Sequence, residues 1–300
     1  MKLLLVGANG QVGTELQRSL APLGTVVAAT RNGTLADGGI CEIADFDAPD
    51  DLSALVERVA PDIVVNAAAY TAVDRAEDDL DAAFRANAQG PRVLAAACAA
   101  RDALLVHYST DYVFDGSGTR AYREDDATAP LGVYGASKRE GECAIQSSGV
   151  RHMIFRTAWV YAAHGKNFLL TMLRLARERD ELRVVADQIG TPTSAALIAD
   201  VTAAVLGRPP GVSGIWNLTA TGHTSWHGFA EGIVDRAHAA GILERIPRVL
   251  PIATSDYPTR AQRPAYSVLD MTRLQRDFGL SVPSWDRVLD DVVAEIEVRR

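Results

Sequence analysis

The residues best able to do chemistry cluster in one short span. Thr110, Asp111 and Tyr112 lie in "HYSTDYVFDG", and Tyr134 and Lys138 follow in "GVYGASK". Tyr134 and Lys138 are spaced i,i+4, so on a helix their side chains share one face. An ammonium one turn from a phenol favours the phenolate, which lowers the phenol pKa from ~10 towards the working range of a general acid or base. Tyr134 can then hand its proton to an alkoxide as it forms, while the Thr110 hydroxyl holds the same oxygen and polarises a ketone. Read alone, a Tyr-x-x-x-Lys pair is as readily an exposed tyrosine beside a solvated lysine, so its meaning depends on the elements that carry it.

Those elements follow a regular rhythm. Apolar runs at Leu3–Val6, Thr25–Ala28, Ile63–Val65, Leu104–His107, Met153–Arg156 and, more weakly, Leu182–Val185 read as strands. Helical patterns cover Gln11–Leu20, Asp51–Val59, Asp79–Ala100, Gly135–Ser147 and Phe168–Arg179. Strands that are apolar almost throughout are covered on both faces, so the alternation predicts an α/β fold with a doubly wound parallel sheet of the Rossmann type over residues 1–157. Beyond Ile189 come a helix capped by Ser194 and stopped at Gly207, a strand at Gly214–Leu218, a helix from about Ser225, a Pro-rich loop and two terminal helices. These predict a smaller α/β lobe for substrate over residues 158–300, some of whose elements return to the Rossmann sheet, with a cleft between the lobes.

Gly7, Gly10 and Gly13 stand between the first strand and the first helix, with Gln11 and Val12 among them. Glycines there permit a tight turn and let backbone N–H groups approach a pyrophosphate at a helix N-terminus. After strand two the sequence reads Thr30-Arg31, with no carboxylate, which tilts the cofactor towards NADPH and leaves NADH open. Asp45 and Phe46 are placed to meet an adenine ring, or are a loop before a helix capped by Asp50 or Asp51. Strand three runs into Asn66, Ala67, Ala68, Ala69, Tyr70 and Thr71, whose small alanines let a flat cofactor lie against the backbone.

Composition narrows the classes. The chain has 300 residues, 48% of them hydrophobic, and a formal net charge of −8, so it can build a large core but presents no basic face for nucleic acid. No apolar run suits a signal peptide or a membrane span, which predicts a cytoplasmic protein. Cys41, Cys98 and Cys143 have no paired spacing and read as reduced thiols. His223 and His227 have helical spacing without an acidic partner, so no metal site is assigned.

The motifs "GANGQVGTELQ", "VVNAAAYTAVDRAE", "HYSTDYVFDG", "APLGVYGASKREGE", "FRTAWVYAAHGKNF" and "DQIGTPT" recur in one order along the chain. In this the chain resembles the extended short-chain dehydrogenase/reductases, and within them the dTDP-4-dehydrorhamnose reductase family. The resemblance implies hydride transfer from NAD(P)H to the C4 ketone of a nucleotide sugar, dTDP-4-dehydro-L-rhamnose. It makes Tyr134 the proton donor and Lys138 the residue that binds the nicotinamide ribose and tunes Tyr134. It places Thr110, Asp111, Tyr112, Trp159 and Asn167 at the sugar, and Arg263 is a candidate for the diphosphate. Related dehydratases follow the threonine with Asp-Glu, whereas Asp111-Tyr112 stands here, which favours reduction over dehydration. A nucleotide-sugar epimerase and a non-catalytic nucleotide-binding subunit are the alternatives. Some members are dimers with Mg2+ at the interface, so a homodimer is implied; Glu15 is present, but Ala196 replaces a glutamate, which makes the metal doubtful.

Overall fold

The computed structural model describes residues 1–208 and 213–298. Its centre is a seven-stranded parallel sheet built from β1 (Lys2–Val6), β2 (Thr25–Thr30), β3 (Glu42–Ile43), β4 (Ile63–Asn66), β5 (Leu104–Thr110), β6 (His152–Thr157) and a late strand, Gly214–Asn217. The spatial order runs from that late strand through β6, β5, β4, β1 and β2 to β3. The order reverses beside β1, and ligands of open α/β sheets bind outside the carboxyl ends of the strands at such a switch point.

Period-two alternation gives each face its own core. From β1, Leu3 and Leu5 pack against Leu16 and Leu20 of α1 (Gln11–Leu20), while Leu4 and Val6 face Leu52 and Leu55 of α2 (Pro49–Val59). The predicted helix over 79–100 is broken into α3-following segments: α3 (Val73–Ala76) precedes α4 (Leu80–Phe84), a π-helical turn (Arg85–Gln89) and α5 (Gly90–Ala100). Pro91 lacks an N–H and crowds the carbonyl four residues before it, which widens the turn there. The next helix, α6 (Val133–Ser147), covers the same face and carries the Tyr134–Lys138 pair.

Past β6 come β7 (Val160–Tyr161), α7 (Phe168–Glu178), β8 (Glu181–Val185), β9 (Ile189–Gly190), β10 (Thr193–Ser194) and α8 (Ala195–Leu206), which Ser194 caps, and most of these later elements build a second core. Then come β11 (Gly214–Asn217), which is the late strand, β12 (Thr224–Ser225), α9 (Trp226–Ala239), β13 (Arg248–Ile252), α10 (Thr272–Phe278) and α11 (Trp285–Val298). Leu169, Phe229, Ile233, Leu289 and Val292 fill that core. The 182–185 strand belongs here and not to the main sheet: it pairs in parallel with β13, a strand that its Pro251 hides from pattern reading. Meanwhile β11 pairs with β6, and Ile198 and Leu274 join the Leu16 core, so α8, β11 and α10 return to the nucleotide-binding half. Among the described residues, no helix is long and apolar enough to cross a membrane. The cysteines are free thiols.

Candidate active site

The glycine loop has the shape of a cradle. Gly7 adopts φ +85°, and a side-chain carbon there would lie 2.5 Å from the Ala68 backbone nitrogen, so β1 and β4 meet backbone to backbone. At Gly13 a side chain would collide with the Gly7 carbonyl. Gly10 caps α1 with no side-chain hydrogen bond, which leaves the helix N-terminus to an anion. Val12 packs on the core, and Gln11 accepts a hydrogen bond from Asn167 at 2.8 Å. Ala67 and Ala68 are half-buried and Ala69 and Thr71 exposed beside this loop, and the Tyr70 backbone is held at both its N–H and its carbonyl by Asn87 in the π turn. These features fit a dinucleotide.

At the far edge Arg31 is exposed and its guanidinium lies 3.4 Å from Asp45 and 3.6 Å from Asp47. Phe46 packs inward. It is 7% exposed, and its ring lies against Gly90 in the core. The adjoining helix α2 starts after Ala48 with Pro49 at its first position, so Asp50 and Asp51 sit in the first turn rather than at the cap.

The carboxyl end of β5 gathers the candidate catalytic residues. Thr110 donates to Asp111 at 3.0 Å and accepts from the Tyr112 N–H at 3.2 Å. Tyr134 comes within hydrogen-bonding reach of Thr110, and its ring meets Tyr112 edge to face at 5.9 Å. Burial pushes the Asp111 carboxyl up to about 7, with hydrogen bonds from Ser267 and Thr110 pulling the other way. Ser109 Oγ and Asp111 Oδ2 are buried without a hydrogen-bond partner among the described residues, an arrangement that a polar ligand would relieve. Beside them, Val73, Glu77, Leu131 and Gln262 line a small crevice that reaches Tyr134.

Lys138 reverses one expectation. It is 2% exposed, and its Nζ donates to the Tyr108 carbonyl and lies 3.3 Å from His107 Nε2. Burial lowers it to about 8 against the pull of Glu142. Its charge is directed into β5, and the Tyr134 phenol is not drawn down: burial pushes it up to about 12, opposed by Thr110 and reinforced by Asp111. The phenol therefore holds its proton across the physiological range, which is the state a donor needs.

Two residues expected at the substrate, Asn167 at the sugar and Arg263 at the diphosphate, have protein partners. Asn167 caps α7 by accepting from the Leu170 N–H at 3.0 Å, and its amide nitrogen donates to Gln11, Ala162 and His164. Every atom of that amide is used, so it is a clasp between the glycine loop and the second lobe. Arg263 grips Asp74 of α3 through two nitrogens, at 2.6 Å and 3.1 Å. Although burial opposes it, these bonds and the Ala261 N–H hold the Asp74 carboxyl below its usual range. Arg260 pairs with Asp78, so the Pro-rich loop is strapped to α3 and its adjoining turn. Trp159 adopts φ +47°, a strained value for a bulky residue, and its indole is stacked between Gly190 and Trp226, 3.5 Å from the latter.

The sequence reading passed over three residues. Glu77 accepts from the Val133 N–H at 2.8 Å and so caps the turn that carries Tyr134. Asn87 donates to Ser137 at 3.0 Å from the π turn. His107 is a polar residue within a fully buried strand, which is the one signal that could have marked it.

The chain is similar to several known proteins. A dTDP-4-dehydrorhamnose reductase of Burkholderia thailandensis is 50% identical over 294 residues, 95% of each chain. The crystal structure of a dTDP-4-dehydrorhamnose reductase from Clostridium acetobutylicum superposes with a TM-score of 0.90 at 36% identity, covering 99% of this chain and 100% of that one. The Bacillus anthracis dTDP-4-dehydrorhamnose reductase, solved in complex with NADP, superposes with a TM-score of 0.89 at 34% identity, covering 98% and 99%. The family model described as the RmlD substrate binding domain matches residues 1–298, and the chain belongs to that family.

Proposed function

We infer that the protein is an NADPH-dependent dTDP-4-dehydrorhamnose reductase that converts the C4 ketone of dTDP-4-dehydro-L-rhamnose to the alcohol. The observation that carries this reading is the Tyr134 phenol within hydrogen-bonding reach of Thr110 at the carboxyl end of β5, next to a glycine cradle suited to a dinucleotide. Gly7, Gly10, Gly13 and the 67–71 segment hold the cofactor, with Arg31 at its 2′-phosphate, and residues 158–300 supply much of the sugar pocket. When bound, NADPH supplies the hydride.

Thr110 orients the carbonyl oxygen, and Tyr134 gives that oxygen its proton as negative charge develops there. Asp111 and Trp159 bound the sugar, while Lys138 supports the proton donor from behind. Glu77 keeps the α6 N-terminus, and with it Tyr134, in place. The reading is tested by the NADPH absorbance band with dTDP-4-dehydro-L-rhamnose beside a Tyr134→Phe control. Sugar-dependent loss of absorbance that vanishes in the control supports it. Flat absorbance despite cofactor binding sinks it and favours an epimerase or a regulatory subunit.

A further inference from the structure

Behind Lys138 lies a buried polar chain that the reductase reading leaves without a task. His107 is wholly buried in β5, with Asn66 Nδ2 3.1 Å from its Nδ1 and Lys138 Nζ 3.3 Å from its Nε2. The Asn66 amide has only one orientation here, because its Oδ1 accepts from the Ala68 N–H at 3.2 Å. Its NH2 must therefore face the ring, and Nδ1 must accept. A neutral imidazole that accepts at Nδ1 carries its hydrogen on Nε2. Burial and then the Lys138 charge keep the ring neutral, well below the usual histidine range.

We propose that His107 is a positioning residue for Lys138: Asn66 fixes its tautomer, and the resulting Nε2–H faces the lysine amine, easing loss of the lysine proton without moving the side chain. A donor facing a donor is unfavourable while Nζ is an ammonium, and becomes a hydrogen bond once Nζ is a neutral amine. The Tyr108 carbonyl, also on β5, accepts from Nζ in either state. The carboxylate that bears on Nζ is Glu142, one turn along α6, and it is already bound by Arg156 and Arg139. From the neighbouring β4 and the π turn, the polar groups are the neutral amides Asn66 and Asn87. The lysine thus meets a histidine set as a donor, so its charge answers to the ring as well as to solvent.

This inference deepens the reductase reading and rests on it for the role of Lys138, but its test needs neither cofactor nor sugar. With 6 histidines in the chain, 15N-histidine NMR of the whole protein can be assigned by difference against His107→Gln. The expected spectrum has Nδ1 as an acceptor and Nε2 as N–H from pH 5 to 9. An Nδ1–H tautomer, or an imidazolium near neutral pH, overturns the proposal. Lysine 13Cε titration supplies the second readout. His107→Met, similar in size but without donor or acceptor, raises the Lys138 midpoint by about one pH unit, a tenfold gain in proton affinity. His107→Gln, which can keep a donor towards Nζ, restores the parent midpoint. An unmoved midpoint in His107→Met shows that the ring merely fills space, and the proposal fails. A failed NADPH oxidation assay would count against the reductase reading alone.

Discussion

Helix α6 buries two ionisable side chains one turn apart and surrounds them in opposite ways. Glu142, wholly buried, receives Arg156 through two hydrogen bonds of 2.8 Å and a third contact from Arg139 at 3.3 Å. Arg156 in turn donates to the Glu124 carbonyl and lies over the Phe114 ring. Lys138, nearly as deep, has a carbonyl and a neutral imidazole beside it and, among the described residues, no carboxylate in contact. The paired charge locks α6 to β6; the unpaired one lies one turn from Tyr134, the proton donor of the proposed function. A buried charge without a counter-ion is destabilising, and on that proposal stability is given up there for reactivity.

The contrast can be broken by substituting each cation with methionine. Lys138→Met is expected to lower kcat by about 10²-fold or more while leaving the denaturant midpoint unchanged or higher. Arg156→Met strands Glu142 in the core and is expected to reduce stability by about 3–5 kcal/mol, read as a lower urea midpoint at constant m-value. If Lys138→Met were instead the more destabilised of the two, Lys138 would be a structural cation and the contrast would be empty.

Asp111 sharpens the same distinction on the anionic side. Burial raises its carboxyl to about 7, above the ~3.9 of an unfolded aspartate. Between those values the folded chain holds a proton that the unfolded chain has released, so stability declines as pH rises through that window. Below the unfolded value the penalty is absent, and above about 7 it is complete. Asp111→Asn lacks it, so its stability relative to the parent should climb between pH 4 and 7 by up to about 4 kcal/mol. Parallel stability curves for the two proteins would mean that the Asp111 carboxylate is solvated in the folded state.

The same division explains what could be read from the chain. Leu3–Val6 and the glycine loop are local statements: an apolar run covered on both faces and a turn that admits no side chain are visible at single positions. The placement of Thr110, Tyr134 and Lys138 was legible because helix spacing puts two of them on α6 and the parallel sheet puts the third at the end of β5. The protein partners of Asn167 and Arg263 were not legible because they are remote: Gln11 lies 156 residues from Asn167, and Asp74 lies 189 residues from Arg263. No local pattern announces such a partner. The packing of Phe46 was hidden for a related reason, since an aromatic after an aspartate looks the same whether Gly90 receives its ring or a ligand does. The direction of the Tyr134 shift was missed because spacing says where Lys138 is anchored but not where its ammonium points.

Arg31 is the exposed member of this series and carries the smallest effect. It is 71% exposed in its side chain, and its contacts with Asp45 and Asp47 are long, at 3.4 Å and 3.6 Å. Exposed pairs of that kind contribute about 0–1 kcal/mol, so they are readily exchanged for a better partner. A charge-assisted bond to a 2′-phosphate is worth about 1.5–3 kcal/mol, and the difference corresponds to roughly tenfold in relative affinity. Arg31→Ala should therefore cut the ratio of kcat/KM for NADPH over NADH by about tenfold, through KM and with kcat nearly unchanged. Asp45→Ala, which frees the guanidinium, should shift the same ratio the other way by a smaller factor. If neither substitution moves the ratio, Arg31 is held by its two carboxylates for solubility alone, and any preference for the phosphorylated cofactor must arise from the backbone of the Thr30–Thr34 turn.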